Sequence, residues 1–300
     1  MAVGRQLCSD GEACARGFRG TSSATRRRIL RETIAAFEQC DPPDRYHRLA
    51  SANLQRWHSE GHPVTPDRAV QVIAGDWGTV THSLTKKYGT CFAVLNMANA
   101  YVPGGAYVEG AVAQEENMFR RTDCHFQVTS QEFDSASERY RADVTKLLSA
   151  HEGRVYLDVH KPRVCIRGPE NRAVDDLGYG WLPDEEVFPF YELRAAAQDL
   201  RDGRDFDEGD GRKRIAAQLD TLRAHELRHA VLGAFGCGAF RNPATTVARL
   251  YKEEVAMRHQ CFALIAFAIF DAGYGPDNFA PFASEFETGK GGSAMPPNNR

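Results

Sequence analysis

Val94-Leu-Asn-Met-Ala-Asn-Ala-Tyr-Val-Pro-Gly-Gly-Ala106 begins as a buried strand and leaves it through a Pro-Gly-Gly turn. Further along, Val231-Leu-Gly-Ala-Phe-Gly-Cys-Gly-Ala-Phe240 repeats the design, running from strand into Gly236 and Gly238 and then to Asn242-Pro243 and a helix. Asparagine followed by proline is a helix-start signal, since proline lacks only an N–H that the first turn leaves unbonded anyway. Glycine lets backbone N–H groups approach a ligand closely, and a helix N-terminus behind them adds partial positive charge. Two such loops at strand ends would grip a diphosphate without a lysine. Isolated glycines also simply close tight turns. The named nucleotide motifs are missing: Arg241 stands where a dinucleotide fingerprint needs a third glycine, and there is no GK[ST].

Outward from these loops, short β-rich runs are expected at 70–74, 91–96, 154–159, 164–167, 230–235 and 261–270. Helical spacing is expected at 25–39, 137–148, 190–200, 212–225 and 243–257. Strands alternating with helices predict a layered α/β domain around a largely buried sheet. Residues 1–23 read as a flexible lead-in, 40–66 (rich in proline) as irregular, 201–214 as a charged loop, and 287–300 as a disordered tail. The folded unit is expected to span 24–286 as one domain, with 24–68 as an N-terminal extension.

The 300 residues carry 42% hydrophobic and 26% charged residues, as a globular protein does, and a formal charge of −3. Nothing in that balance favours a nucleic-acid backbone or an anionic membrane, so a phosphate ligand must be met locally. The first thirty residues hold no long apolar stretch, and no run is long enough to span a bilayer. Eight cysteines without a CxxC pair read as reduced, mostly buried thiols. The expected compartment is the cytoplasm.

Beyond Ala106 the chain reaches Gln114-Glu115-Glu116 at the start of a helix. Such a triplet is common on solvated helix faces. Adjacent helical side chains diverge by about 100°, so one glutamate can aim into a pocket while its neighbour positions it. A glutamate beside a desolvated pocket has a raised pKa and can donate a proton; once deprotonated it can activate water. Glycoside cleavage needs both services.

The run from Asn99 to Glu116 resembles the signature of the poly(ADP-ribose) glycohydrolases, a glycine triplet followed at short spacing by Gln-Glu-Glu. Gly233–Pro243 resembles the second phosphate loop of their microbial (bacterial and fungal) branch. The resemblance implies an α/β, three-layer α/β/α macrodomain-like fold with a mixed central sheet and an N-terminal helical extension, binding ADP-ribose at the carboxyl edge of the sheet. It implies Glu116 as catalytic acid and base, Glu115 orienting the ribose, and Asn99 on a hydroxyl of that sugar. By the same resemblance Gly104, Gly105, Ala106 and Gln114 line the first side of the site. Gly236, Cys237, Gly238 and Ala239 hold the diphosphate, and Phe240 packs on the distal ribose. Adenine-stacking residues are sought in Tyr156–Pro169. Ala106 replaces the third glycine, where a methyl group would crowd a ligand. The implied substrates are ADP-ribose units on a polymer, a protein side chain or a nucleobase, with no metal and no cofactor. An ADP-ribose reader without catalysis would keep the pocket but has no use for a proton donor.

A rival reading comes from His225-Glu226-Leu227-Arg228-His229, the HExxH pattern of zinc peptidases. It is weakened by the strand-like run directly after His229, by Arg223 and Arg228, and by the lack of a downstream third ligand.

Overall fold

The computed structural model describes residues 19–60, 69–271 and 275–287. Five parallel strands form the centre, in the order β1 (Val70–Ala74), β9 (Leu264–Ile269), β8 (His229–Leu232), β2 (Ala93–Met97) and β7 (Phe188–Ala195). Two short strands, β5 (Tyr156–Leu157) and β6 (Arg163–Cys165), pair antiparallel along the outer side of β7, which makes the sheet mixed. A hairpin of β3 (Phe133–Asp134) and β4 (Arg139–Tyr140) stands apart.

Alternation along the strands builds two apolar layers. Ala93 and Leu95 face α6 (Glu208–Ala224), α7 (Ala244–Met257) and α8 (Phe279–Glu287). Phe92 and Val94 face α1 (Arg19–Glu38), α2 (Arg45–Glu60), α3 (Trp77–Tyr88) and α4 (Gln114–Arg121). One further helix, α5 (Ala142–Leu148), packs beside the hairpin. The three-layer α/β/α architecture expected from the resemblance is therefore present, with helices α1 and α2 preceding the first strand. Among the described residues no helix is long and apolar enough to cross a membrane.

Several expectations need correction. Residues 190–200 form strand β7 and its exit, not a helix. This strand has neighbours on both sides and is buried almost throughout, so its apolar residues do not alternate with exposed polar ones, and its two charged residues, Glu192 and Arg194, are buried with them. The stretch expected to be irregular contains α2: Pro42 and Pro43 precede the helix, and its buried residues are only Ala50, Asn53 and Trp57, on one face. Helix α3 falls where no helix is expected, although both of its ends carry signals. Asp76 accepts N–H bonds from Gly78 and Thr79, and Gly89 closes the helix in the left-handed region. The first residues of 137–148 belong to the hairpin, and only Ala142–Leu148 is helical. The charged loop shortens, because α6 begins at Glu208 behind an Asp207 cap. Helix α8 was not anticipated. Helix α1 begins at Arg19, so the last residues of the expected lead-in, 19–23, are helical; the rest of that lead-in and the expected tail beyond 287 lie outside the described residues.

Gly89 has φ +57°, and a Cβ there would stand 2.4 Å from the Cα of His58 in α2. Gly89→Ala is expected to cost about 1–3 kcal/mol, because left-handed strain adds to a backbone clash. A urea denaturation midpoint equal to that of the wild type would contradict this packing of α2 on α3.

Candidate active site

The carboxyl ends of the five parallel strands open into one cavity of about 720 Å³. That is the crevice where open α/β sheets bind ligands, and the size suits one. Its wall is built from Ala74 and Gly75 after β1, Met97 and Asn99 after β2, and Ala197 and Arg201 after β7. Gly233 to Arg241 after β8 and Ile269 to Asp271 after β9 complete it, with the first turn of α4 pointing in.

That first turn is fixed from two directions. Gln114 spends its carboxamide on the end of β2: Oε1 accepts from Met97 N–H at 3.0 Å and Nε2 donates to Leu95 O at 2.8 Å. At the other end of α4, Arg121 donates to Asp76 at 2.7 Å and its guanidinium lies over the Trp77 ring at 4.7 Å. Arg120, wholly buried, donates to Ala111 O and the Tyr179 hydroxyl. Both glutamates consequently enter the site from a rigid helix.

Glu115 and Glu116 divide as helical geometry demands. Glu115 accepts from Asn99 N–H at 2.7 Å on one oxygen and from Gly104 N–H at 3.1 Å on the other. Glu116 accepts from Ala106 N–H at 3.1 Å through Oε1 and lines the cavity. Burial raises the pKa of Glu115 well above the carboxylate range, the nearby Glu116 charge raises it further, and the Asn99 N–H pulls the other way. Burial also raises Glu116, partly offset by the Ala106 N–H. The position of Gly105 between them is sterically decisive. Its φ is +57°, and a Cβ would meet Glu116 Oε1 at 2.4 Å and Glu115 Oε2 at 3.3 Å.

The neighbours of Gly105 differ from it. Gly104 also has a left-handed φ, +72°, with the Tyr107 ring where a Cβ would go. Ala106 is not in that region, so the backbone makes no demand for a third glycine. Asn99 forms the Asx turn before Pro103: its Oδ1 accepts from Tyr101 and Val102 N–H at 2.8 and 3.0 Å, which leaves the amide nitrogen for the cavity.

On the opposite wall, Gly236 has φ +74°, and a side chain there would collide with Ala197 and Asn242. Asn242 N–H returns to Gly236 O, and Cys237 N–H to Ala234 O. The N–H groups of Gly238, Ala239 and Phe240 have no acceptor among the described residues, and α7 starts just beyond at Ala244. Three free donors ahead of a helix N-terminus form an anion nest. Cys237 takes part by its backbone alone, since its thiol is buried and pushed up to about 12. Phe240 is half-buried at the rim, with the Arg201 guanidinium 5.1 Å from its ring centroid.

Every residue expected in the site lines this cavity except Gly104, which sits behind Gly105. Asp76, Trp77, Arg201, Phe270 and Phe279 were missed. Phe270 offered a signal: it is 49% exposed immediately after six buried residues of β9. Within Tyr156–Pro169 only Pro169 reaches the cavity, while the Tyr156 ring lies against Arg194. The HExxH helix is not present. Helix α6 ends at Ala224, Glu226 takes φ +56°, and His229 lies in β8. Among the described residues no three His, Cys, Asp or Glu side chains are grouped to hold a metal.

With this geometry in hand, residues 14–157 match the family described as microbial-type PARG, catalytic domain. That segment contains the first glycine loop and both glutamates. The fold is similar to the crystal structure of poly(ADP-ribose) glycohydrolase from Thermomonospora curvata bound to the inhibitor ADP-HPD. The two chains share 23% identity and a TM-score of 0.59, over 88% of this chain and 100% of that one. It is also similar to the Deinococcus radiodurans enzyme in complex with ADP-ribose, at 23% identity and TM-score 0.54 over 83% and 93%. At these identities the likeness is one of fold. No curated protein matches the chain.

Because the folded-state pKa of Glu115 is raised, its contribution to stability is fully present below the unfolded carboxylate pKa and is lost as pH rises through the folded value. Glu115→Gln removes that titration. The melting temperature of the wild type relative to the variant is expected to fall between pH 4 and pH 8, and parallel curves would show that burial does not raise this carboxyl. Gly105→Ala is expected to reduce turnover at least about a hundredfold by displacing Glu116, with the fold retained by circular dichroism.

Proposed function

We propose that the chain, whose residues 14–157 match the microbial-type PARG catalytic domain, is a poly(ADP-ribose) glycohydrolase that removes ADP-ribose units from modified macromolecules. The observation that carries this reading is a buried Glu116 beside the cavity, with one oxygen held by the Ala106 N–H and its pKa raised by burial. An acid of that kind keeps its proton at a pH where an exposed carboxyl has lost it, as protonating a leaving oxygen requires.

The site accounts for each step. ADP-ribose lies across the strand ends with its diphosphate on the Gly238, Ala239 and Phe240 N–H groups, and backbone at Gly105 and Ala106 closes the near side. Glu116 donates its proton to the departing oxygen as the bond to the anomeric carbon breaks, giving a hydroxyl on the leaving group. The carboxylate so formed removes a proton from the water that attacks the anomeric carbon. That restores the acid and releases ADP-ribose. Positive charge building on the sugar ring in the transition state is faced by the two carboxyls of α4.

Glu115 serves by position. Its oxygens hold the Asn99 and Gly104 N–H groups, and their remaining lone pairs face the ribose together with the Asn99 amide. Gln114 keeps the helix on β2 and contributes to binding only through that support. Phe240 packs on the sugar from the opposite wall. No step calls on a metal. The free thiols among the described residues suit the cytoplasm as the place of action.

Glu116→Gln is expected to abolish turnover of poly(ADP-ribose) while the calorimetric Kd for ADP-ribose stays within about tenfold, since a proton is lost and not a surface. Lost binding, or retained turnover, would contradict the role assigned. At Gly238 an added Cβ meets nothing within 4 Å and the residue is exposed, so Gly238→Trp is expected to leave the fold intact, checked by circular dichroism, while covering the nest. ADP-ribose affinity is expected to fall about tenfold or more, and an unchanged Kd would remove the loop from the site. Turnover is expected to persist above the ordinary carboxylate range and to decline as pH rises through the raised pKa of Glu116.

A further inference from the structure

Arg201 lines the cavity, and none of the chemistry above employs it. It stands in the turn that follows β7, and that turn is laced to the second glycine loop. Leu200 N–H donates to Phe240 O at 3.1 Å, and Asn242 Nδ2 donates to Gln198 O at 2.7 Å. Asp199 accepts from both Nε and Nη2 of Arg201, which fixes the plane of the guanidinium over the Phe240 ring. Nη1 donates to nothing among the described residues. The side chain is 54% exposed, so it sits at the mouth, yet the charge of Glu116 is felt there. The structure thus holds a pre-oriented cation with spare donors over Phe240, the residue assigned above to the sugar whose bond breaks.

A cation so placed has a use if an anion comes to it. The diphosphate of the bound unit already has the three backbone donors and the start of α7. Past Glu116, the part of a substrate still unmet is the group that leaves. When that group is another ADP-ribose, it carries its own diphosphate, within the reach of an extended arginine from the scissile oxygen. When it is a serine or threonine side chain it carries no charge, and when it is an arginine the charge is of the wrong sign.

We propose that Arg201 is a specificity-determining residue that contacts a phosphate of the departing ADP-ribose unit, so that the site favours ADP-ribose joined to ADP-ribose over ADP-ribose joined to a protein side chain. This rests on the glycohydrolase reading and names its substrate class. A nucleic acid is the less fitting source of phosphate. Asp199, Asp202, Asp205, Asp207 and Glu208 surround Arg201 in sequence, and they would oppose a long phosphate backbone laid along the surface. A single contact next to the scissile bond is tolerated by the same surroundings.

The test compares the wild type with Arg201→Gln and Arg201→Lys on three substrates: the ADP-ribose dimer, a serine-linked mono-ADP-ribosyl peptide, and an ADP-ribosylated oligonucleotide. Calorimetry with free ADP-ribose runs beside it. For the dimer, Arg201→Gln is expected to raise KM about tenfold with kcat changed less than about twofold, since binding and not chemistry is lost. KM for the peptide and Kd for ADP-ribose are expected to move less than about twofold. Arg201→Lys is expected to recover part of the loss, and high salt to shrink the difference. An unchanged KM for the dimer would overturn the proposal. So would a fall in ADP-ribose affinity, which would assign Arg201 to the bound unit, or a larger effect on the oligonucleotide than on the dimer. A wild type that cleaves none of the three sinks the glycohydrolase reading itself, and that failure is visible before any variant is compared.

Discussion

Glu115 is a carboxyl with almost no exposure, and both of its oxygens are occupied by N–H groups of the loop that leaves β2. Those two bonds join the first turn of α4 to the end of the central strand. Gly104 and Gly105 can take left-handed backbone so that the loop folds back over the carboxyls, and Ala106 can then present its N–H to Glu116. Remove the bond network and the acid has no fixed address. Burial makes this arrangement costly when the carboxyls are charged, which raises both pKa values at the place where the proposed chemistry calls for a proton donor.

The rest of the fold serves to bring a second wall opposite the first. Parallel pairing places the exits of β1, β9, β8, β2 and β7 on one edge, so residues far apart in sequence face a common space. Glu116 and the nest at Gly238–Phe240 come from exits of adjacent strands. One wall offers carboxyl groups and the other offers free backbone N–H. That division suits the proposed ligand, with a sugar at one end and a diphosphate in the middle, and would let a chain of net charge −3 hold an anion without lysine.

Both glycine loops and the Gln-Glu-Glu turn were legible together, because each alone has a commoner use and only their joint occurrence, in that order along the chain, points to one site. Strand β1 was legible to its ends because Val70, Val72 and Ile73 favour extended backbone and Gly75 ends the run. Strand β7 was misread because a strand covered on both faces does not alternate. Asp76 and Trp77 were missed with α3, whose only punctuation was an aspartate before the helix and a glycine after it. Cys237 and Gln114 line the cavity, but their side chains point into the protein's own backbone and core, a distinction no linear pattern carries. Arg201 was hidden in a run of charges that resembles any solvated loop, and only the turn after β7 brings it over Phe240.

The most direct test of the account is to incubate the wild-type protein with purified poly(ADP-ribose) in the presence of a chelator and to follow the products by chromatography. Release of free ADP-ribose with loss of polymer is the result predicted by a protonated Glu116 working without a metal. Intact polymer in the presence of a protein that binds ADP-ribose would contradict it, and would reduce this site to one that holds its ligand without cutting.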